Sequence, residues 1–528
     1  MKKRWICLLL ALVCVGSLVS GCGGNSAEDT TAVLSDIYVT PDMTGAKVTQ
    51  YIPQNSDIDP EGSYVNLAVE EHLGLDLEII EPESLASTCA KMVQQWEIPD
   101  LVVTSGYNHS DWGKYGEEGA FINILDYLEA MPNVKAYLED PENAGDVEKF
   151  TYSKGVMYAL PIHRDGSAEI YTYLYRKDIF EENNLTWPTN QEEFVAVLRK
   201  LKEIYPDSEP FVMRNMNKKI QAAQLYGHLW GAAHVTPSSS DRVFTLGADG
   251  KYYLAQASIA YKEMAQFFHD LMEEGLMNRD SLKIDTDGWY AAFNTNKSFI
   301  TYDKVDRLPL MNQNGKERNE KFQAVAGEAF NMGTHANQTD VVATSFPSSS
   351  TTGYGYMIGE NANLDAVLLY VDWLYSEEGY TMTNWGVEGE SYVVNEDGTK
   401  RFVEGFLESK GGLSAAGFAT TTKGHTDFEA YKASCEPYME EALNIAQQYV
   451  GRSPRQYALQ YTKEEKILLT TYAGGMYSRA CSEWNKFVRG ERDFSEWDAV
   501  MEQIRIIYNY DGLLKVHEDA LARVLEEQ

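Results

Sequence analysis

The chain has 528 residues, 44% hydrophobic and 23% charged, the proportions of an ordinary globular protein too long for a single core. Its formal net charge of −34 would repel nucleic acid and anionic lipid, so neither is expected as a partner. Nine scattered histidines and six cysteines without metal-like spacing give no reason to expect a metal or other cofactor.

Lys2, Lys3 and Arg4 open the chain as a positive start, and Trp5 to Val19 follow as an apolar run too short and too N-terminal for a membrane span. Leu18-Val19-Ser20-Gly21-Cys22 closes the run with small residues and a thiol. This order resembles the signal and lipobox of bacterial lipoproteins. It implies that 1–21 is a signal peptide cut before Cys22, whose sulfur takes a diacylglycerol of the palmitate kind. An ordinary signal cleaved nearby, with Cys22 incidental, is the alternative. Residues 22–35 are small and polar and read as a flexible tether. Loss of Lys2, Lys3 and Arg4 would take the charge of −34 to −37. The rest of the chain is then expected on the extracellular face of the cell membrane, on a Gram-positive-type surface, held by lipid.

Past the tether, helix patterns alternate with strand patterns. Tyr64, Leu67 and Ala68 through Leu73 predict a helix stopped by Gly74, and the alternation of Leu75-Asp76-Leu77-Glu78-Ile79 predicts a strand at once after it. Asp100-Leu101-Val102-Val103 reads as a second, buried strand. Thr189 and Glu192 have capping-box spacing just after Pro188, and Phe194, Val197, Leu198 and Leu201 share one face of the helix behind them. Asn363 precedes a helix carrying Leu364, Val367, Leu368, Val371, Leu374 and Tyr375, with Gly379 as its stop. Ser495 caps a helix with Trp497, Val500, Met501, Ile504 and Tyr508 on one side. Alternation of this kind argues for α/β architecture, with sheets covered by helices. The Ser-rich run 345–352 is either a passage between lobes or a surface loop. Of the cysteines outside the signal and anchor, Cys435 and Cys481 could form one bridge, or both could stay as free thiols with Cys89.

Several stretches, in order along nearly the whole chain, resemble the extracellular solute-binding proteins of ABC importers, in the lipoprotein branch associated with sugar uptake. Ile98 to Val102 resembles the strand that ends at the ligand cleft, and Glu118 to Leu128 the segment after it. Gly155 to Ile162 is similar to the approach to the first interlobe crossing. Tyr175 to Asp178, followed by Trp187-Pro188-Thr189, is similar to the opening of the second lobe. Trp385 to Tyr392 resembles the return segment, and Gly490 to Trp497 the start of the C-terminal helix. The resemblance implies a two-lobe, periplasmic-binding-protein-like (type II) α/β fold with an interlobe cleft and several hinge crossings. Residues 36–163 and 354–386 would form the N-terminal lobe, and 164–353 and 387–528 the C-terminal lobe. It further implies a monomer that captures a carbohydrate, of oligosaccharide class, and hands it to ABC permease subunits in the membrane. Relatives often carry an Asp/Asn-rich, Gly-containing loop resembling a calcium site after the second-lobe opening. Here Tyr205 to Pro210 is short and has two carboxylates, so no bound calcium is expected there.

Sugars present C–H-rich ring faces and rims of hydroxyls, which suit aromatic rings and charged or amide groups respectively. The 10 Trp and 34 Tyr supply such rings in number, though any one of them serves equally well as core. Position narrows the choice. Tyr107 and Asn108 lie just past the strand ending near Thr104, and Trp112 is further along the same loop. Arg164 and Asp165 follow His163 at the proposed crossing. Trp230 lies in the Gly-flanked run Tyr226 to Gly231, and Tyr302 with Asp303 follows a short apolar strand. Trp289 is placed equally well in the cleft or on a core-facing helix side. Trp385 and Glu388 fall in the return segment. Trp385, Glu388, Arg164 and Tyr107 lead this set, and Trp385→Ala is expected to weaken sugar binding with the fold intact. No H-E-x-x-H, G-x-S-x-G or G-x-x-x-x-G-K-[ST] occurs. Glu388 and Glu390 are a carboxylate pair on paper, but on one strand they would point to opposite faces. The expected activity is therefore binding and not catalysis. A lipid-anchored glycoside hydrolase, or a receptor for peptides or other small nutrients on the same fold, are the alternatives, and the aromatic content favours sugar.

Overall fold

The computed structural model describes residues 41–54, 62–104, 112–152, 155–163, 171–214, 226–231, 243–247, 250–333, 354–418, 424–447, 459 and 461–526. Strands β1 (Lys47–Tyr51), β2 (Asp76–Ile80), β3 (Leu101–Val103) and β4 (Leu160–Pro161) come first. They are followed by β5 (Tyr171–Arg176), β6 (Thr245–Leu246), β7 (Tyr252–Tyr253), β8 (Ile300–Lys304) and β9 (Ala324–Gly327). Last come β10 (Gly355–Ile358), β11 (Tyr392–Val394) and β12 (Lys400–Phe402). The first sheet has the order β2-β1-β3-β10-β4. Its β1, β2 and β3 are parallel, with Gln50 opposite Leu101, while β10 runs antiparallel and sets Met357 opposite Val102. Leu101, Val102 and Val103 are all fully buried, as a central strand covered on both faces requires. The helix Tyr64–Leu73 links β1 to β2. Ser63 caps it by accepting from the Asn66 N–H, and Gly74 ends it in the left-handed region at φ 73°.

The second sheet, β8-β5-β9, is antiparallel throughout. Its two faces feed different cores. Tyr173, Ile300 and Tyr302 pack into one with the helices Ile259–Glu273, Gly474–Val488 and Trp497–Ile507. Leu174, Ala324 and Ala326 pack into another with Trp289, Phe293 and the helix Pro437–Gln447. A third, separate core surrounds the first sheet, where Val48, Leu77, Phe150, Tyr356, Trp373 and Trp385 meet. The two-lobe α/β expectation is met, with each sheet holding its own apolar interior.

Several local expectations shift. The helix Gln191–Ile204 is capped by Asn190, not by a Thr189/Glu192 box; the Glu193 carboxylate reaches back to the Thr189 N–H and hydroxyl at 2.9 Å. Asp493, not Ser495, caps the turn before the helix Trp497–Ile507, in a capping box with Glu496. The helix starting at Leu364 ends at Leu374, and Gly379 lies inside the next helix, Glu377–Asn384, packed on the Trp373 carbonyl with no room for a Cβ. Cys89, Cys435 and Cys481 are free. Cys435 and Cys481 belong to different cores, and the Cys435 thiol is within hydrogen-bond distance of the Tyr431 carbonyl at 3.3 Å. Burial pushes the Cys89 thiol up to about 12, so it is inert. Tyr392, Phe402, Ala416 and Phe418 pack into the first-sheet core, and Phe428, Met439 and Leu443 into the second sheet's. The run 345–352 lies outside the described residues, and among those described no helix is long and apolar enough to cross a membrane.

Candidate functional site

Ile162, His163, Tyr354, His425 and Thr426, which border segments outside the described residues, lie side by side. The Ile162 N–H donates to the Tyr354 carbonyl at 3.0 Å, and the Thr426 N–H donates to the His163 carbonyl at 3.1 Å. Between them the His163 N–H donates to Nδ1 of His425 at 2.9 Å. Since Nδ1 accepts, the neutral His425 ring carries its proton on Nε2, which is shut away from water and has no hydrogen-bond partner among the described residues. Tyr137 stacks on this ring at 4.9 Å and Tyr375 meets it edge-on at 4.5 Å. Burial, with His163 adding to it, lowers the His425 pKa to about 3. The His163 ring pairs with Asp146 at 3.0 Å, and the Tyr137 hydroxyl donates to the same carboxylate oxygen at 3.1 Å. A half-buried polar knot thus joins these residues on the first sheet's side.

On the second sheet, Tyr171 opens β5 and stacks at 6.3 Å on Tyr302, in the middle of β8. Tyr302 is buried, and also meets Tyr173 and Tyr226, whose hydroxyls share a 2.6 Å hydrogen bond. Next to it Asp303 accepts two bonds from Arg214, at 2.6 and 2.8 Å, and Arg214 also donates to the Thr286 hydroxyl at 3.1 Å. Burial alone would lower the Arg214 pKa, but the Asp303 bonds outweigh it and leave it raised, so the guanidinium keeps its charge. Below them Trp289 is fully enclosed, donating from Nε1 to the Thr301 hydroxyl at 3.0 Å. Trp230 packs on Phe267 at 5.2 Å in the same lobe, 2% exposed.

Trp385 ends the helix Glu377–Asn384, is 2% exposed, stacks on Phe402 at 5.1 Å and donates to Asp427 at 2.7 Å. Glu388 and Glu390 are both exposed and precede β11, in a turn whose start Gly386 takes φ +85°. Trp112 opens the helix Trp112–Glu117 at 5% exposure and meets Tyr115 edge-on. Thr104, fully buried, ends β3 by donating to the Gly355 carbonyl at 2.8 Å. Tyr107, Asn108, Arg164 and Asp165 lie outside the described residues. The structure therefore collects the anticipated residues into two groups. The rings of Trp112, Trp230, Trp289, Tyr302 and Trp385 are enclosed by protein, whereas Glu388 is open to solvent. Residues that sequence reasoning did not single out are His425, Tyr137 and Asp146; their only signal was His163 at the crossing. A hollow of about 400 Å³ lies on the face between the helices Thr286–Asn294 and Leu308–Lys316, lined by Tyr290, Asn294 and Arg307 among others, and none of the anticipated residues lines it. Among the described residues no group of three or more His, Cys, Asp or Glu could hold a metal ion.

The family of bacterial extracellular solute-binding proteins matches residues 98–381. The fructooligosaccharide ABC transporter substrate-binding protein FusA of Streptococcus pneumoniae serotype 4 is 21% identical over 401 residues, covering 72% of this chain and 70% of that protein. It has been solved with kestose (TM-score 0.62, 16% identity, 91% of this chain and 100% of that one) and as an EF-hand mutant with fructo-nystose (TM-score 0.60). Lipoprotein LipO of Bacillus subtilis is 22% identical, covering 75% of this chain and 74% of its own. The alginate-binding protein AlgQ2, solved without calcium ion, superimposes with TM-score 0.62 at 19% identity over 91% of this chain and 99% of that one.

Proposed function

The chain belongs to the bacterial extracellular solute-binding proteins, and on that premise we propose that it is the receptor subunit of an ABC importer for an oligosaccharide. The observation that carries the reading is the side-by-side placement of His163, Tyr354 and Thr426 in a chain whose two sheets have separate cores. Such an arrangement lets two rigid bodies rotate about a few backbone positions and close on a guest. Relatives named for fructooligosaccharide and for polygalacturonan and rhamnogalacturonan support the sugar class.

In this reading the ligand is met by Tyr107 and Asn108 beyond β3, by Arg164 and Asp165 at the crossing, and by the exposed Glu388. The enclosed rings of Trp112, Trp230, Trp289, Tyr302 and Trp385 set the shape of the walls behind them. The N-terminal lobe is built on the first sheet and the C-terminal lobe on the second. Cys22 carries the lipid, the receptor acts as a monomer at the extracellular membrane face, and it releases its sugar unaltered to the permease subunits.

A thermal-shift screen of the soluble chain against neutral and acidic oligosaccharides tests this. A ligand bound only by the native state at about 100 times its Kd stabilises by about 2.7 kcal/mol, a clear rise in Tm. The reading fails if no saccharide raises Tm while a peptide or another nutrient does, or if incubation with a bound glycan releases new reducing ends.

A further inference from the structure

The connection after the helix Gln191–Ile204 is where the resemblance would set a calcium-like loop, and the residues here do not fit a divalent cation. Calcium collects six or more oxygens, many of them loop carbonyls. In this chain the carbonyls of Tyr205, Asp207, Ser208, Glu209 and Pro210 already have protein donors. The Tyr205 carbonyl takes the Ser208 N–H at 2.9 Å and its hydroxyl at 2.7 Å. The Glu209 carbonyl takes the Ser298 hydroxyl at 2.7 Å, and the Pro210 carbonyl takes the Phe299 and Ile300 N–H groups at 2.9 and 3.0 Å. Of the three between them, those of Asp207 and Ser208 are held by ammonium groups: Lys202 Nζ donates to the Ser208 carbonyl at 2.6 Å, and Lys297 Nζ to the Asp207 carbonyl at 3.1 Å. Two fixed positive charges at consecutive carbonyls would repel a divalent ion, and the Asp207 side chain points into an exposed setting.

We propose that Lys202 and Lys297 serve in this chain as tethered cations that fasten the exit of the helix Gln191–Ile204 to the start of β8, making the second lobe independent of free calcium. An ammonium offers three donors on a long apolar stem, enough to satisfy a bare carbonyl from a distance. Lys202 belongs to the last turn of the helix, and its stem end lies against Gly275, where a Cβ would sit 3.8 Å from its Cε and Nζ. Lys297 comes from the other side, and its own carbonyl accepts the Glu209 N–H at 2.8 Å, so the two chains are stitched in both directions. β8 then runs from this fastening to Tyr302 and Asp303, so the tie bears on the wall of the proposed cleft.

The test uses the unliganded protein, so its outcome does not depend on which solute is bound. Thermal unfolding is followed in plain buffer, with EDTA, and with millimolar calcium chloride, for the wild type, Lys202→Met, Lys297→Met and Asp207→Asn. Methionine keeps the stem and removes only the ammonium. The wild-type Tm is expected to move by less than about 1 °C with chelator or calcium, and Lys202→Met to lower it by roughly 2–4 °C. Lys297→Met, whose side chain is exposed, should lower it by less and remains informative if Lys202→Met does not fold. The proposal is overturned if EDTA lowers the wild-type Tm and Asp207→Asn removes that response. It is equally overturned if the lysine variants melt with the wild type.

Discussion

His425 combines three features that are costly together: a ring held between Tyr137 and Tyr375, an Nδ1 committed to the His163 N–H, and an Nε2–H without an acceptor among the described residues. In the unfolded chain an imidazole titrates near 6.5, whereas here it stays neutral down to about 3. Between those values the unfolded state binds a proton that the native state does not, so stability falls as pH falls through this window and is fully restored above it. His425→Asn keeps an acceptor for the His163 N–H and removes the titration. Urea unfolding at pH 7 and pH 4 should show the variant less stable at pH 7 and the gap to wild type narrowing by about 1–3 kcal/mol at pH 4. A gap independent of pH would show that the ring is not held neutral. Nothing local announces this residue: its partner His163 is 262 positions away, and only folding brings the two together.

At the scale of elements, much was legible because the cause is local. Gly74 had to end its helix, and Leu101 to Val103 had to form a covered strand, since left-handed φ and continuous burial are written into those residues. Capping was legible only to within a position or two. Asn190 and Thr189 are both competent, and the choice fell to the residue whose side chain reaches the Glu193 N–H at 2.9 Å. The rings were the least legible, because whether an indole is wall or floor depends on distant partners. Trp385 illustrates this. Its Nε1 holds Asp427, and Asp427 in turn caps the helix Phe428–Ala433 by accepting the Glu429 N–H. Replacing the indole by alanine removes a buried ring and loosens the cap of a second helix. Trp385→Ala should therefore cost about 3–5 kcal/mol in denaturant unfolding, contrary to the expectation of an intact fold. A loss below about 1 kcal/mol would mean that Phe402 and the hairpin β11–β12 close over the gap.

For the whole molecule, the two-lobe plan followed from strand–helix alternation and the resemblance. The solute contacts did not, because most of the loops that would make them are outside the described residues. Geometry still constrains how the protein must work. Two separately cored lobes can trap a solute between them only if the closed arrangement binds it better than the open one; equal affinity for both would shift nothing. Moving an equilibrium from 1:99 to 99:1 takes a preference of about 10⁴-fold, which a ligand touching a single lobe cannot supply. Small-angle scattering of the chain with and without a saturating oligosaccharide should therefore show a smaller radius of gyration in the bound state. Submicromolar binding with superimposable scattering curves would mean that the solute is held by one lobe alone, and the trap would be the wrong description of this protein.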